Sequence, residues 1–412
     1  MNYSEIFRRI QSQGRVLALM KDSHINALLQ KISRNILGAE KNILAANQKD
    51  IKRVSSSGKT AAFIDRLTLN EKGIREMASQ VIAVSKLHSP LGKVLSRRKR
   101  PNGLDIKKIS VPIGALFIIY ESRPDVTSDC AALGLKSGNA VILRGGSDAA
   151  NTNGAIYAAI RASMPAEIKD TVFLIKDSSR ETVNAILKMN NFIDAVIPRG
   201  GESLIKAVVE NSRIPVIYHG KGVCNLYVHK DADMAMAVKI ALNAKVQRPG
   251  VCNAIENLIV DKAAAKKFLP MIYKVYSLNQ VEMRGCPETK KILKNIQSAV
   301  SADWDTEYLE KIISIKTVRG INEACDFINA HGSRHSEAIV TGSEKAAKIF
   351  FGAVDACCLY HNASTRFTDG GQFGMGAEIG ISNQKLHPRG PVGLEELTSY
   401  KYIVSGSGQI RK

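Results

Sequence analysis

The sequence of 412 residues contains no uninterrupted apolar run of the roughly 20 residues that a membrane-spanning helix requires. Its opening segment, MNYSEIFRRIQSQGRVLALM, carries charges throughout and lacks the apolar stretch of a secretory signal peptide. The amphipathic, arginine-containing character of that segment leaves an organelle-targeting function as the alternative. We therefore expect no membrane span and a cytoplasmic protein.

The seven cysteines show no spacing that predicts a disulfide framework or a zinc site. Their number is odd, no CxxC pair occurs, and the adjacent Cys357 and Cys358 cannot easily bridge each other. We expect reduced thiols, as in a cytoplasmic protein, and no metal site.

Acidic residues are scarce relative to basic ones, and aromatic residues make up only 6% of the chain. The 58 Lys and Arg against 38 Asp and Glu give a formal net charge of +20, which suggests nucleic acid or acidic small molecules as partners. The lysines are scattered, and the single dense cluster is SRRKR at 96–100. We favour anionic small molecules and expect no nucleic acid, with nucleic-acid binding kept as the rival function.

Two common phosphate-binding motifs are missing. The stretch SSSGKT at 55–60 lacks a P-loop because Arg53 stands where the first glycine must be, and no GxGxxG occurs. Two Arg-Gly-Gly turns are present instead, each directly after a strand-like run. In such turns glycine lets a phosphate approach the backbone, and the following helix N-terminus favours an anion. The residues concerned are Arg144, Gly145, Gly146 and Ser147 in the first turn, and Pro198, Arg199, Gly200, Gly201 and Glu202 in the second.

Hydrophobic periodicity predicts helices over residues 1–90 and then alternating short strands and amphipathic helices, which is typical of a parallel sheet covered on both faces. The predicted strands of the first block are AVILRG, TVFLIK, FIDAVIP and IPVIYH. A second alternating block runs from about 231 to 385, with a helix capped by Asp231 or Asp233 and the strands SIKTV and HSEAIVT. The tail LTSYKYIVSG reads as a strand that pairs with another element or another subunit.

QRPGVC at 247–252 places a cysteine between a helix and a strand. Most cysteines outside disulfides are small buried hydrophobes, which is one interpretation of Cys252. The other is a nucleophile, with the backbone N–H groups of Cys252 and Asn253 lowering the thiol pKa and holding an oxyanion. No Cys–His–Asn spacing of a protease can be read from the sequence.

Long motifs in the same order resemble the γ-glutamyl phosphate reductase family of the aldehyde dehydrogenase superfamily, from FIDRLTL near residue 63 to the end. They are VPIGALFIIYESRPDV, LKSGNAVILRGGSDA, VIPRGGESLI, PVIYHGKGVCNLYVHKDAD, NAKVQRPGVCNA and GAEIGISNQKLHPRGPVGLEELTSYKYIVSG. The resemblance implies an aldehyde dehydrogenase-like α/β fold with a Rossmann-like NADP domain, an α/β catalytic domain and a β oligomerisation arm. We expect the NADP-binding domain at 1–230, with an arm segment at about 98–115, and the catalytic domain at 231–385. The C-terminal return segment and oligomerisation strand are expected at 386–412.

The resemblance also implies an activity: NADPH-dependent reduction of L-glutamyl 5-phosphate to L-glutamate 5-semialdehyde in proline biosynthesis, with release of phosphate. Cys252 would be the nucleophile that forms a thioester. The stretch YHGKG stands where hydrolytic relatives carry a water-activating glutamate, and it has no carboxylate. A hydrolytic or CoA-acylating aldehyde dehydrogenase is the alternative.

By the same resemblance, Arg144, Gly145, Gly146 and Ser147 would hold the adenosine ribose, and Gly200 and Gly201 would face the pyrophosphate. Glu307 in TEYL would hold the nicotinamide ribose. Without the resemblance, the sequence alone suggests that Glu307 is a charged residue on the surface of a helix. Arg144 without an acidic residue at Ser147 favours NADPH over NADH, whereas Asp148 argues the other way.

The doubly anionic substrate requires cations, and our candidates are Arg248, Arg366, Arg123 and His335. The resemblance further implies a homo-oligomer, and it leaves contact with the upstream glutamate kinase open.

Overall fold

The computed structural model describes residues 2–59 and 61–411. Its helices are α1 Tyr3–Leu17, α2 Asp22–Gly38, α3 Glu40–Ser55, α4 Ala61–Leu67, α5 Glu71–Lys86, α6 Asp125–Lys136, α7 Ala150–Ser163, α8 Arg180–Ile186, α9 Glu202–Asn211, α10 Met234–Val246, α11 Lys262–Leu278, α12 Pro287–Ile292, α13 Ile321–His331 and α14 Glu344–Ala353. Its strands are β1 Val94–Lys99, β2 Asp105–Pro112, β3 Ala115–Tyr120, β4 Ala140–Gly145, β5 Val172–Leu174, β6 Ala195–Arg199, β7 Cys224–Val228, β8 Ile255–Asp261, β9 Glu282–Gly285, β10 Gln297–Ser298, β11 Ile312–Val318, β12 Ser336–Val340, β13 Cys358–His361, β14 Ile381–Ser382, β15 Gly390–Pro391 and β16 Thr398–Ser405.

The chain forms two compact units. Unit 1 comprises Met1–Tyr218, Gly374–Gly380 and Val392–Lys412, and unit 2 comprises His219–Phe373 and Ile381–Pro391. No helix in the described part of the chain is both long and apolar enough to span a membrane.

Unit 1 is built on a parallel sheet with the strand order β5-β4-β3-β6. The central strand β3, ALFIIY, is buried along its whole length. Leu116 and Ile118 point into a core formed with α2, α5, α6 and α7. Phe117 and Ile119 point into the opposite core, formed with α1, α8 and α9. A strand covered on both faces has to be apolar at every position, which explains the uninterrupted run.

The helices that follow β3 and β6 pack on opposite faces of this sheet, because α6 belongs to the first core and α9 to the second. β3 and β6 are neighbours, so their carboxyl ends flank a topological switch point. Ligands of open parallel sheets bind at such a crevice.

An exposed antiparallel sheet of three strands, β1-β2-β16, extends unit 1. β2 pairs with β16 from Asp105↔Ser405 to Pro112↔Thr398, which confirms that the tail is a strand paired with another element. Every residue of β1 and seven of the eight residues of β16 are exposed.

Unit 2 contains a parallel sheet of seven strands in the order β10-β9-β11-β8-β7-β12-β13. α10 and α11 cover one face, and α13 and α14 cover the other. Asp233 is the N-cap of α10 and accepts a hydrogen bond from the Met236 N–H at 2.7 Å, so of the two predicted caps it is Asp233 that serves.

Three features of the sequence analysis differ from the structure. The predicted strand IPVIYH is not one, since only Val216 bridges to Val196; Pro215 has no N–H with which to extend a ladder. The change of unit falls at Tyr218/His219 and not at 230, because β7 pairs with β8 and β12 of unit 2. The return segment is also divided, with 381–391 in unit 2 and 392–412 in unit 1.

Candidate active site

The two Arg-Gly-Gly turns of unit 1 lie on either side of the end of β3. Tyr120, the last residue of β3, is opposite Gly145 of β4 and Arg199 of β6. Side chains are excluded from Gly145, because a Cβ there would collide with the amide of Asn153. The two predicted nucleotide-binding turns are therefore brought together at the carboxyl edge of the sheet.

An internal carboxylate already occupies the second turn. Glu121, directly after β3, accepts a hydrogen bond from the Gly201 N–H at 2.8 Å. Its side chain lies so close to Gly200 that a Cβ there would stand 2.6 Å from the Glu121 Cδ. A diphosphate at this turn would have to displace Glu121. The position of Glu121 after an apolar strand was the signal that could have identified it.

The first turn carries two arginines, of which sequence analysis identified one. Arg144 donates from Nη2 to the Ser178 carbonyl at 2.5 Å, and burial lowers its pKa against the opposing effect of Asp177. Its Nε is buried and has no hydrogen-bond partner among the described residues, which suits a group that awaits an anionic ligand. Arg53 of α3 donates to the Ser147 carbonyl at 2.6 Å. Nothing in the sequence linked Arg53 to Ser147, because the contact spans 94 residues.

The candidate nucleophile of unit 2 lies at the amino edge of its sheet. Cys252 is partly exposed in a turn between α10 and β8. Gly222 precedes β7, Glu307 precedes β11 and His335 precedes β12, so these residues share that edge.

Side chains hold the turn that carries Cys252. The Thr365 hydroxyl donates to the Asn253 carbonyl at 2.7 Å, and the Asn253 side-chain amide donates to the Thr368 carbonyl at 2.8 Å. No hydrogen bond within the described part of the chain uses the Asn253 N–H. The side-chain oxygen Oδ1 of Asn253 is buried and likewise has no partner there. The N–H is therefore available to a reacting oxygen at the turn.

Exposure separates Cys252 from most of the other cysteines. Only Cys252 and Cys357 of the seven are partly exposed. Cys357 donates to the His335 carbonyl at 2.7 Å, and its hydrogen bond with Cys358 raises its pKa strongly, which disfavours the thiolate. Burial raises the pKa of Cys224 as well. Cys252 is the accessible thiol best suited to be a nucleophile.

Arg248 and Arg366 lie near this thiol. Arg366 Nε donates to Gln247 Oε1 at 2.9 Å, in the loop that leads to Cys252. Burial lowers the pKa of Arg366 and the charge of Arg248 lowers it further, whereas Cys252 acts in the opposite sense. These electrostatic effects require proximity, so the structure brings together both arginines and the thiol.

Glu307 is in an irregular segment beside Cys252 and not on the surface helix that its sequence alone suggested. A Cβ at Gly222 would stand 2.6 Å from Glu307 Oε1 and 2.5 Å from the Cys252 Cα. Only glycine at 222 permits this close approach of the carboxylate to the nucleophile turn.

His335 and Arg123, the other two substrate candidates, lie in different units. His335 is completely buried, with Nδ1 2.8 Å from the Ser336 hydroxyl and 3.7 Å from Cys224 Sγ. Cys224 Sγ in turn lies 3.1 Å from the Cys252 carbonyl oxygen, so His335 supports the turn from behind. Arg123 is exposed in unit 1, two residues after Glu121.

Comparison with known proteins agrees with this arrangement. Residues 34–290 match the model of the aldehyde dehydrogenase family, whose members use nicotinamide cofactors. The gamma-glutamyl phosphate reductase of Thermoanaerobacter pseudethanolicus is 49% identical over 407 residues, which cover 98% of each chain. The crystal structure of the enzyme of that name from Thermotoga maritima superimposes with a TM-score of 0.98 at 42% identity, covering 100% of both chains. This chain belongs to the gamma-glutamyl phosphate reductase family.

The structural likeness extends to more distant enzymes. An acetylating aldehyde dehydrogenase from Geobacillus thermoglucosidasius has a TM-score of 0.68 at 16% identity, covering 99% of this chain and 97% of that one. At this identity the likeness shows the fold alone. The gamma-glutamyl phosphate reductase family therefore has the aldehyde dehydrogenase-like α/β fold that the motifs predicted.

Proposed function

We propose that this chain reduces L-glutamyl 5-phosphate to L-glutamate 5-semialdehyde with NADPH and releases phosphate, as a step of proline biosynthesis. The observation that carries the proposal is a partly exposed thiol, Cys252, beside two arginines in a member of the gamma-glutamyl phosphate reductase family. A thiol beside cations is suited to attack an anionic acyl phosphate.

Cys252 begins the reaction as a thiolate that attacks the acyl carbonyl. A carbon–sulfur bond forms, the bond between carbon and the phosphate oxygen breaks, and phosphate leaves with the electron pair. The N–H groups of Cys252 and Asn253 stabilise the oxyanion; loss of one such donor costs about 3 kcal/mol. Arg366 and Arg248 neutralise the substrate phosphate and carboxylate.

In unit 1 the residues that would hold the dinucleotide are Arg144 to Ser147 and, once Glu121 is displaced, Arg199 to Gly201. In unit 2 the family resemblance gives Glu307 the nicotinamide ribose. The orphaned Arg144 Nε fits such a ligand. A bound NADPH would supply the hydride that reduces the thioester carbon. Return of the electron pair to sulfur then releases the aldehyde and restores the Cys252 thiolate.

NADPH is favoured over NADH because two arginines, Arg144 and Arg53, flank the turn at Ser147. Asp148, which argued for NADH, is turned towards the Ser122 hydroxyl at 3.5 Å. A 2′-phosphate at the ribose would meet cations here.

The test is the reverse reaction, in which glutamate 5-semialdehyde and phosphate reduce NADP, followed by NADPH absorbance. We expect turnover that requires phosphate. Turnover that requires CoA instead would support an acylating enzyme. Turnover with neither would support a hydrolytic one.

We also infer that the exposed β1-β2-β16 sheet docks a second copy of the chain. Val94, Leu95, Tyr402, Ile403 and Val404 are between 41% and 61% exposed there. Such apolar strand surfaces are generally covered by a partner. Light scattering should give an oligomer for the full chain, and Tyr402→Asp with Val404→Asp should shift it towards the monomer.

We also propose a cytoplasmic location, because the odd number and irregular spacing of the seven cysteines do not favour a disulfide framework. The only other partner the proposal leaves open is the glutamate kinase that must supply the acyl phosphate. Co-sedimentation of the two proteins tests that contact.

A further inference from the structure

A buried ion pair lies directly behind the nucleophile turn. Lys245, in the last turn of α10, and Glu256, on β8, are both 0% exposed at the side chain, and Lys245 Nζ lies 2.5 Å from Glu256 Oε2. Burial lowers the pKa of Lys245 and raises that of Glu256 against their mutual attraction. Because desolvating two charges can cost more than their attraction returns, stability alone does not explain the pair.

The second oxygen of Glu256 holds an irregular segment of backbone. Glu256 Oε1 accepts a hydrogen bond from the Leu309 N–H at 3.3 Å. Leu309 has a φ of 57°, in the left-handed region that residues other than glycine avoid, and its side chain is 45% exposed. Since its side chain gains little from packing, the hydrogen bond to Glu256 is the contact that holds this strained conformation.

The segment that Glu256 holds carries Glu307, two residues before Leu309. The Glu307 carboxylate and the Cys252 backbone both lie within 2.6 Å of the position that a Cβ on Gly222 would occupy. Glu307 is close enough to act electrostatically on both Lys245 and Glu256. The Leu309 carbonyl approaches Gly250 on the nucleophile loop, 3.6 Å from the position of a Cβ. The ion pair therefore connects the turn of Cys252 with the segment of Glu307.

We propose that Lys245 and Glu256 are positioning residues: Lys245 keeps Glu256 oriented, and Glu256 anchors Leu309 so that Glu307 stays beside Cys252. This rests on the proposed function only in the role given to Glu307, which is to hold the nicotinamide ribose. Neither Lys245 nor Glu256 touches a reacting atom.

The test compares two double variants that both remove the buried charges. Lys245→Met with Glu256→Gln keeps a side-chain oxygen that can accept from Leu309, whereas Lys245→Met with Glu256→Leu does not. Replacing a buried ion pair by uncharged residues need not destabilise a protein, although removing one partner alone does. Denaturant midpoints verify that both variants fold. If the Leu variant does not fold, Lys245→Met with Glu256→Met replaces it.

We expect the Leu variant to bind NADPH about tenfold more weakly in a fluorescence titration and to lose kcat, in keeping with one lost hydrogen bond to a charged group. The Gln variant should recover most of both. Adding Glu307→Gln to the Leu variant should weaken binding no further, because residues that act through one contact are not additive.

Equal NADPH affinity in the Gln and Leu variants, or a fully additive effect of Glu307→Gln, would overturn the proposal. The unaltered chain is assayed in parallel with glutamate 5-semialdehyde, phosphate and NADP. Absence of turnover there would refute the proposed function, while the binding comparison would still judge the role of the ion pair.

Discussion

The two units place their candidate residues at opposite edges of their parallel sheets. In unit 1 the Arg-Gly-Gly turns follow the carboxyl ends of β4 and β6, as in most open α/β sheets. In unit 2 the turn of Cys252 precedes the amino end of β8. Both units are built on a parallel sheet, but their candidate residues therefore lie in different local environments.

The difference is one of charge as well as position. At a carboxyl edge, helices begin, and their N-terminal N–H groups favour anions. Cys252 instead lies between the end of α10 and the start of β8, so no helix N-terminus follows it to favour a thiolate. A thiolate at Cys252 therefore depends on nearby cations, of which Arg366 and Arg248 are the candidates.

The largest expected effect comes from removing the nucleophile of unit 2. This change should stop the reaction and leave the binding of NADPH intact. Cys252→Ala should lower turnover by more than about 1,000-fold, since loss of a nucleophile removes the covalent route. NADPH affinity, measured by fluorescence titration, should be unchanged. Cys357→Ala, at the other partly exposed thiol, is the control and should keep most of the turnover. Normal turnover of Cys252→Ala would refute the assignment.

A smaller effect should follow from removing the cation beside the thiol. Arg366→Ala should raise the KM for the acyl substrate about tenfold, because a hydrogen bond to a charged group is lost. It should also slow the alkylation of Cys252 by iodoacetamide at neutral pH. Arg319→Ala, an exposed arginine of the same unit that pairs with Glu323, is the matched control. An unchanged KM would exclude Arg366 from the site.

Substitutions in unit 1 should change the preference for NADPH over NADH and not the chemical step. Arg144→Ala should reduce the preference for NADPH over NADH by about tenfold, the value of one charge-assisted contact. Arg53→Ala should have a smaller effect of the same sign, and Lys52→Ala, at an exposed neighbour on α3, should have none. A loss of NADPH and NADH binding in equal measure would show that Arg144 does not contact the 2′-phosphate.

The smallest effect concerns the stability of unit 2. Hydrogen bonds from Lys385 and Arg389 lower the pKa of Asp355 to about 2. Its contribution is present above the ordinary carboxyl pKa and is lost as the pH falls towards 2. Asp355→Asn should lower the free energy of unfolding by about 1 kcal/mol at pH 7 and by less at pH 3, as for other exposed ion networks. Equal losses at both pH values in urea unfolding would contradict this.

The sequence predicted the parts of this structure that are local. Apolar runs such as AVILRG and ALFIIY are strands because both faces of a parallel sheet are buried. Asp233, one of the two residues predicted as the cap, is the N-cap of α10. IPVIYH has the composition of a strand, but it makes a single bridge, since pairing depends on a neighbour and not on composition alone.

Contacts between distant segments could not be predicted. Arg53 reaches Ser147, and Glu256 reaches Leu309, over separations that no local pattern encodes. His335 was expected at the substrate, and its complete burial behind Cys224 could be seen only in the fold.

The central claim is that Cys252 forms a covalent thioester with the glutamyl group. The most direct measurement is mass spectrometry of the chain after reaction with glutamate 5-semialdehyde and NADP in the absence of phosphate, quenched in acid and digested. The account predicts a glutamyl adduct on the peptide that contains Cys252 and none on peptides with the other six cysteines. An adduct on another thiol, or none in a preparation that turns over when phosphate is added, would contradict it.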